Sequence, residues 1–131
     1  MNPSPDIITG LAPFECFVFG SNLAGIHGAG AAAMALGWGA AWGEGVGFSG
    51  NTYAIPTKNR NIVTMRPDEI RGYVHDFILF AGDIRRWTFL VTEIGCGLAG
   101  HSPKDIAPLF AHALQHDNIR LPKRFLQILQ P

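Results

Sequence analysis

Cys16-Phe17-Val18-Phe19-Gly20-Ser21-Asn22-Leu23-Ala24-Gly25-Ile26-His27-Gly28-Ala29-Gly30 is the stretch that decides the fold. Its apolar start predicts a buried strand over 14–20. A glycine-rich loop over 21–30 follows at once. Gly30-Ala31-Ala32-Ala33-Met34-Ala35-Leu36 then reads as a helix packed closely through small residues. The order returns later. Phe89-Leu90-Val91-Thr92 lies in a predicted strand over 87–94, and Ile94-Gly95-Cys96-Gly97-Leu98-Ala99-Gly100 follows it. A strand, a glycine-rich turn and a helix bring backbone N–H groups close to a phosphate. Two such segments suggest two walls of one nucleotide or diphosphate site.

The intervening chain keeps the alternation. Residues 37–51 hold six glycines with Trp38 and Trp42, and read as a loop or a distorted helix end. Thr52-Tyr53-Ala54-Ile55 reads as a strand stopped by Pro56, and Asn61–Thr64 as a short strand. Pro67-Asp68-Glu69 opens a helix, with proline in the first turn and acids favourable to the dipole. Ile70, Val74, Phe77, Ile78 and Ala81 recur at the helical period and form its inward face. Ser102-Pro103-Lys104-Asp105 reads as a helix start that turns Ile106, Leu109, Phe110, Ala113 and Leu114 inward. Phe125-Leu126-Gln127-Ile128-Leu129 reads as a last strand. Alternating strands and helices predict an α/β fold on a mainly parallel or mixed sheet. Residues 1–13 are Pro-rich and expected to be an irregular arm. Residues 14–131 are expected to form one domain.

Bulk properties narrow the classes. The chain has 131 residues, which suits one domain. Apolar residues make up 47% and charged residues 15%, so the chain is globular. A formal net charge of +0 argues against broad nucleic-acid binding. All ten basic residues lie from Lys58 onward, and Lys58, Arg60 and Arg66 form a basic cluster beside the candidate site. No stretch reaches the 18 or so apolar residues of a membrane span. The N-terminus lacks the basic region of a signal peptide, so a cytoplasmic location is the expectation. Two cysteines make no disulfide framework and no metal-ligand spacing. Cys16 reads as core. Cys96 reads as a small residue in a tight loop, or as a nucleophile if a base stood beside it. No metal and no cofactor is expected.

Conventional nucleotide fingerprints fail. Gly45-x-Gly47-x-x-Gly50 follows no strand and opens no helix. Gly28-x-Gly30-x-x-Ala33 opens a helix but lies too far from its strand, and Gly50 stands where an acid would be needed. There is no Gly-Lys-Ser/Thr for a P-loop.

The chain resembles the macrodomain family, whose members bind ADP-ribose. Asn22 after the first strand and Gly28-Ala29-Gly30 look like the family's first loop, which meets the distal ribose and diphosphate. Ile94-Gly95-Cys96-Gly97-Leu98 is similar to its second diphosphate loop. Tyr53-Ala54-Ile55-Pro56-Thr57-Lys58 resembles the Tyr-x-Ile-x-Lys segment of the branch that holds a terminal ADP-ribose protein glycohydrolase and a chromatin-remodeller macrodomain, with one extra residue before the lysine. The resemblance covers roughly residues 15–115. It implies a three-layer fold with a mixed central sheet and helices on both faces. It implies that residues 28–31 and 95–100 bind a diphosphate through backbone amides, with the positive end of the helix at Gly30 nearby.

In the glycohydrolase relative, a lysine at the place of Lys58 attacks the ribose anomeric carbon. An aspartate just after the Cys-Gly-Leu string assists it. Ala99 occupies that place here, and no acid lies nearer in the chain than Asp105. The resemblance thus implies binding first, and hydrolysis of ADP-ribosyl groups as its enzymatic version. Lys58 reads as a solvated loop lysine, a phosphate contact or a nucleophile. The family's adenine-contacting Asp has no counterpart at Thr9-Gly10-Leu11; Asp6 or Glu15 would have to substitute.

Histidines and tryptophans carry double readings. His27 and His101 flank the two loops and read as ligand contacts or surface groups. His112 and His116 stand four apart, suiting a metal face or a plain exposed one. His75 reads as surface. Asn22 reads as a ribose contact or a turn former. Trp38 and Trp42 read as base-stacking rings, as core, or as a surface for a protein partner. The alternative to a nucleotide binder is a structural or interaction module acting through that Trp-bearing loop.

Overall fold

A computed structural model describes residues 2–131. Five strands form one sheet in the order β2-β3-β1-β4-β5: β1 (Glu15–Asn22), β2 (Gly47–Ser49), β3 (Thr52–Lys58), β4 (Thr88–Val91) and β5 (Ile119–Arg120). β2 runs antiparallel to β3, and all other pairs are parallel. Four α-helices accompany them: α1 (Gly30–Leu36), α2 (Pro67–Asp83), α3 (Pro103–Ile106) and α4 (Lys123–Leu129). A 3-10 helix over Ala107–Gln115 continues α3. The expected α/β fold with a mixed sheet is the one observed.

Strand alternation sorts β1 onto two cores. Cys16 and Val18 point to one face, where they meet α2, the 3-10 helix and Phe125 of α4. Phe17 and Phe19 point to the other, where they meet Ala32 and Ala35 of α1 together with Ile8. Helices therefore cover both faces. All five residues of the expected α2 face are buried. Pro67 sits at its first turn, and the Glu69 carboxylate accepts the Arg66 N–H at 2.9 Å, closing its start.

Several local expectations need correction. Phe125–Leu129 is helical, within α4. An apolar run of that length has no period to separate strand from helix, and Pro122 just before it suits a helix start. The true last strand, β5, has two residues and leaves no periodic trace. The helix begun at Ser102 tightens to 3-10 geometry at Ala107, because Pro108 has no N–H to give the Lys104 carbonyl. Its inward residues keep their burial, complete for Ile106, Phe110 and Ala113, nearly so for Leu109 and partial for Leu114. Finally, β3 does not stop at Pro56. It continues to Lys58, because β2 pairs with Thr52–Ala54 alone and leaves that side of Pro56 without a ladder to break.

Asn61–Thr64 forms a turn rather than a strand, with one bridge between Lys58 and Thr64. Residues 37–51 are irregular except for β2. The described residues of the N-terminal arm form no regular element, yet they are tied down. The Ser4 N–H donates to the Leu121 carbonyl at 2.8 Å, and the Ser4 hydroxyl donates to the Val91 carbonyl at 2.7 Å.

Candidate functional site

β1 is the strand about which the connections reverse. The path to β3 on one side runs over the α1 face, and the path from β3 to β4 on the other runs over the α2 face. A crevice at the carboxyl ends of such strands is where ligands bind in α/β sheets. A cavity of about 610 Å3 opens there, lined by both glycine-rich segments and by Thr57 and Lys58. The two segments meet: a Cβ on Gly30 would lie 3.4 Å from Leu98 Cδ1, and one on Gly20 would lie 3.6 Å from the Gly95 nitrogen. The expected juxtaposition of the two loops is present.

The loops present donors. The N–H groups of Gly28, Ala29, Gly30, Gly95, Gly97, Leu98 and Ala99 make no hydrogen bond to the rest of the described chain. α1 has no side-chain cap either. Since backbone donors are normally paired within the fold or with water, these seven are available to an acceptor in the cavity. α1 is only seven residues long, so the amides rather than its dipole dominate.

Close packing behind the cavity fixes the first loop. A Cβ on Gly45 would lie 1.9 Å from the Asn22 carbonyl oxygen, and one on Gly25 would lie 2.2 Å from the Gly43 carbonyl carbon. The 37–45 backbone therefore lies directly against the loop. The Ser21 hydroxyl donates to the Gly45 carbonyl. Asn22 closes the loop on itself: its Nδ2 donates to the Ile26 carbonyl at 2.8 Å, and its Oδ1 accepts the Ile26 N–H at 3.0 Å. It lines the cavity while acting as a turn former.

The two loop histidines have other work. His27 is 1% exposed and does not line the cavity. Its Nε2 donates to the carbonyls of Ala41 and Glu44, and its ring meets Phe19 and Trp42 edge-on. His101 Nε2 donates to the Met65 carbonyl at 2.7 Å, and Thr64 donates to the Ala99 carbonyl at 3.0 Å. These two bonds anchor the second loop to the segment after β3. Gly100 and His101 stand just outside the cavity lining.

Cys96 lines the cavity, but burial pushes its thiol up to about 11, with Glu93 adding to the effect. A neutral thiol is a poor nucleophile, so Cys96 stands as a small loop residue. Lys58 lies half-buried at the end of β3, and its ammonium enters none of the ion pairs among the described residues. Asp105 is not in the lining; its carboxylate accepts the Ser102 hydroxyl at 3.1 Å.

The acid that the sequence reading missed is Glu93. It lines the cavity from the end of β4 and accepts two hydrogen bonds from Arg124, at 2.5 and 2.6 Å. Those bonds hold its carboxyl below the usual range. Position was the available signal: it lies near the end of the predicted strand over 87–94, just before the second loop.

A second cavity, of about 840 Å3, shares Gly30, Ala31, Thr92 and Glu93 with the first. Asp6 and Ile7 of the arm, Met34, Lys123 and Arg124 complete much of its wall. Glu15 lies elsewhere, accepting the Ala12 N–H. Of the two acids considered for a base contact, Asp6 alone is at a cavity.

Trp38 packs on Phe17, and Trp42 is 62% exposed; neither lines either cavity. His112 sits on a 3-10 turn, where residues four apart do not share a face, and no group of three metal-ligating side chains occurs among the described residues. No described helix is long and apolar enough to cross a membrane. Comparison of the chain with protein-family models, with curated proteins and with solved structures gives no match in any of the three.

Proposed function

We propose that the chain binds ADP-ribose or a related nucleoside diphosphate across the two adjoining cavities. One observation carries this reading: two adjoining runs of backbone amides without a partner in the fold, Gly28–Gly30 and Gly97–Ala99, line one cavity in the loops after β1 and β4. A diphosphate presents the acceptors and the charge that such amides suit. Lys58 adds the free cation of the first cavity, and the macrodomain resemblance points to the same loops. The second cavity takes the base, with Asp6 as acceptor for an exocyclic amino group.

Hydrolysis of an ADP-ribosyl bond is the enzymatic extension. Lys58 would be the nucleophile, and Glu93 is the carboxylate at hand in place of the acid lost at Ala99. The Arg124 bonds keep Glu93 ionised, which suits a base better than an acid. Binding without turnover is therefore the primary reading. The exposed Trp42 supports an alternative, a protein-interaction module using the 37–51 loop.

Isothermal calorimetry with ADP-ribose, and with AMP, ATP and NAD as comparators, tests the reading. Micromolar binding selective for ADP-ribose supports it and justifies assaying Lys58→Ala for lost turnover. No heat with any of the four, from protein shown to be folded, transfers the weight to the interaction module.

A further inference from the structure

Ile62 has a φ of 61°, a left-handed conformation that a β-branched residue rarely adopts. Its turn is well made. The Ile62 N–H donates to the Asn59 carbonyl at 3.1 Å, and the Asn59 N–H donates to the Val63 carbonyl at 2.9 Å. Asn59 Oδ1 accepts the N–H groups of Asn61 and Val63. Lys58 and Thr64 bridge below it. Hairpins of this kind place glycine or asparagine at the left-handed position.

Among the described residues eight glycines have positive φ, and only two other residues do, Phe14 and Ile62. Packing accounts for Phe14, whose ring lies edge-on to Trp87 and under the Arg86 guanidinium. No such account exists for Ile62. It is 41% exposed, belongs to neither core cluster, and lines the first cavity. Ile26 and Leu98 share all of these properties, at 46% and 72% exposed. Three aliphatic side chains without an internal partner thus rim a cavity walled by free amides and Lys58. Backbone strain that the fold does not need points to a functional demand.

We infer that Ile62 is held in this strained turn as a ligand-contact residue, forming with Ile26 and Leu98 an apolar lip over a ring of the bound molecule beside its anionic group. The inference rests on the nucleotide reading only for the identity of that ring, which in ADP-ribose is the distal ribose with its C–H face, since the base is assigned to the second cavity. It assigns specificity: the site takes anions that carry an apolar ring face and discriminates against bare pyrophosphate.

The test is Ile62→Gly, with Ile62→Asn as a second variant that tolerates the left-handed position. Thermal unfolding is measured first. Affinities are then measured for ADP-ribose, for pyrophosphate and for anilinonaphthalene sulfonate, an anionic aromatic dye. Both variants should melt no lower than the parent. They should bind ADP-ribose and the dye at least fivefold more weakly and leave pyrophosphate unchanged. A lowered melting temperature in both variants, unchanged affinity for the dye, or a parent protein that takes up no dye overturns the inference. If the dye responds to Ile62→Gly while ADP-ribose neither binds nor competes with it, the lip stands and the nucleotide reading falls.

Discussion

Glycines at the cavity and behind it divide by what holds them glycine. At Gly45 the fold decides, since a Cβ would collide with the Asn22 carbonyl oxygen. Gly97 has no positive φ, and a Cβ there meets nothing within 4 Å; at Gly28 it meets only Ile26, at 4.0 Å. Both line the cavity, so the space a side chain would take is ligand space. Gly97→Val should leave the melting temperature almost unchanged and weaken ADP-ribose binding at least tenfold by calorimetry. Gly45→Ala should instead cost several kcal/mol of stability, of the order seen for backbone clashes and cavities. Equal losses of stability in the two variants would contradict this division. Glu93 is the other informative residue. Its folded carboxyl lies below the unfolded value, because Arg124 donates two hydrogen bonds to the ionised form. It therefore adds stability that is fully present above the unfolded carboxylate value, about 4.3, and that fades as pH falls through the lower folded one. Its side chain is 34% exposed, so the contribution is small. Urea midpoints measured from pH 7 to pH 3 should fall less steeply below pH ~4.3 for Glu93→Gln than for the parent.

His27 shows how far sequence reading reaches at the level of elements. Its place in a glycine-rich loop suggested a ligand contact, yet the ring is buried and braces the 37–45 segment through two carbonyls. Nothing local in the sequence reveals that, because the acceptors come from a later stretch that has no regular structure. His27→Ala should cost about 1–3 kcal/mol through the lost donor. Limited proteolysis should then cut within residues 37–45 faster than in the parent; unchanged cleavage there would mean that the brace is not limiting. Elements with a strong period were legible. β1 carries a continuous buried run over Cys16–Phe19 and α2 a buried face at helical period, and neither needed tertiary information. α4 and β5 were not, because one is a short apolar run and the other has two residues. The end of β3 was misplaced for a tertiary reason: Pro56 breaks no ladder where β2 has already ended. That correction matters for the site, since the added length of β3 carries Lys58 to the cavity.

The whole molecule places two chemically different ends on one crevice. Lys58 stands at the first cavity and Asp6 at the second, with Gly30, Ala31, Thr92 and Glu93 common to both. Asp6 arrives on the N-terminal arm, which Ser4 fastens to Val91 and to Leu121. The arm was legible as irregular, but its anchoring depends on contacts with residues far along the chain. A ligand long enough to span both cavities should feel both ends, whereas a mononucleotide seated in the second should feel one. Asp6→Ala should thus weaken both ADP-ribose and AMP. Lys58→Met should weaken ADP-ribose at least tenfold and leave AMP unchanged, since a phosphate contact is worth about 1.5–3 kcal/mol. For the double variant the losses in ADP-ribose binding should add, because neither substitution touches a partner of the other. Ligand-induced shifts in melting temperature read the same quantities independently, as binding to the folded state alone stabilises it in proportion to RT ln(1 + [L]/Kd). If Lys58→Met weakened AMP as much as ADP-ribose, the two would share the first cavity, and the base would have to be sought on the Lys58 side.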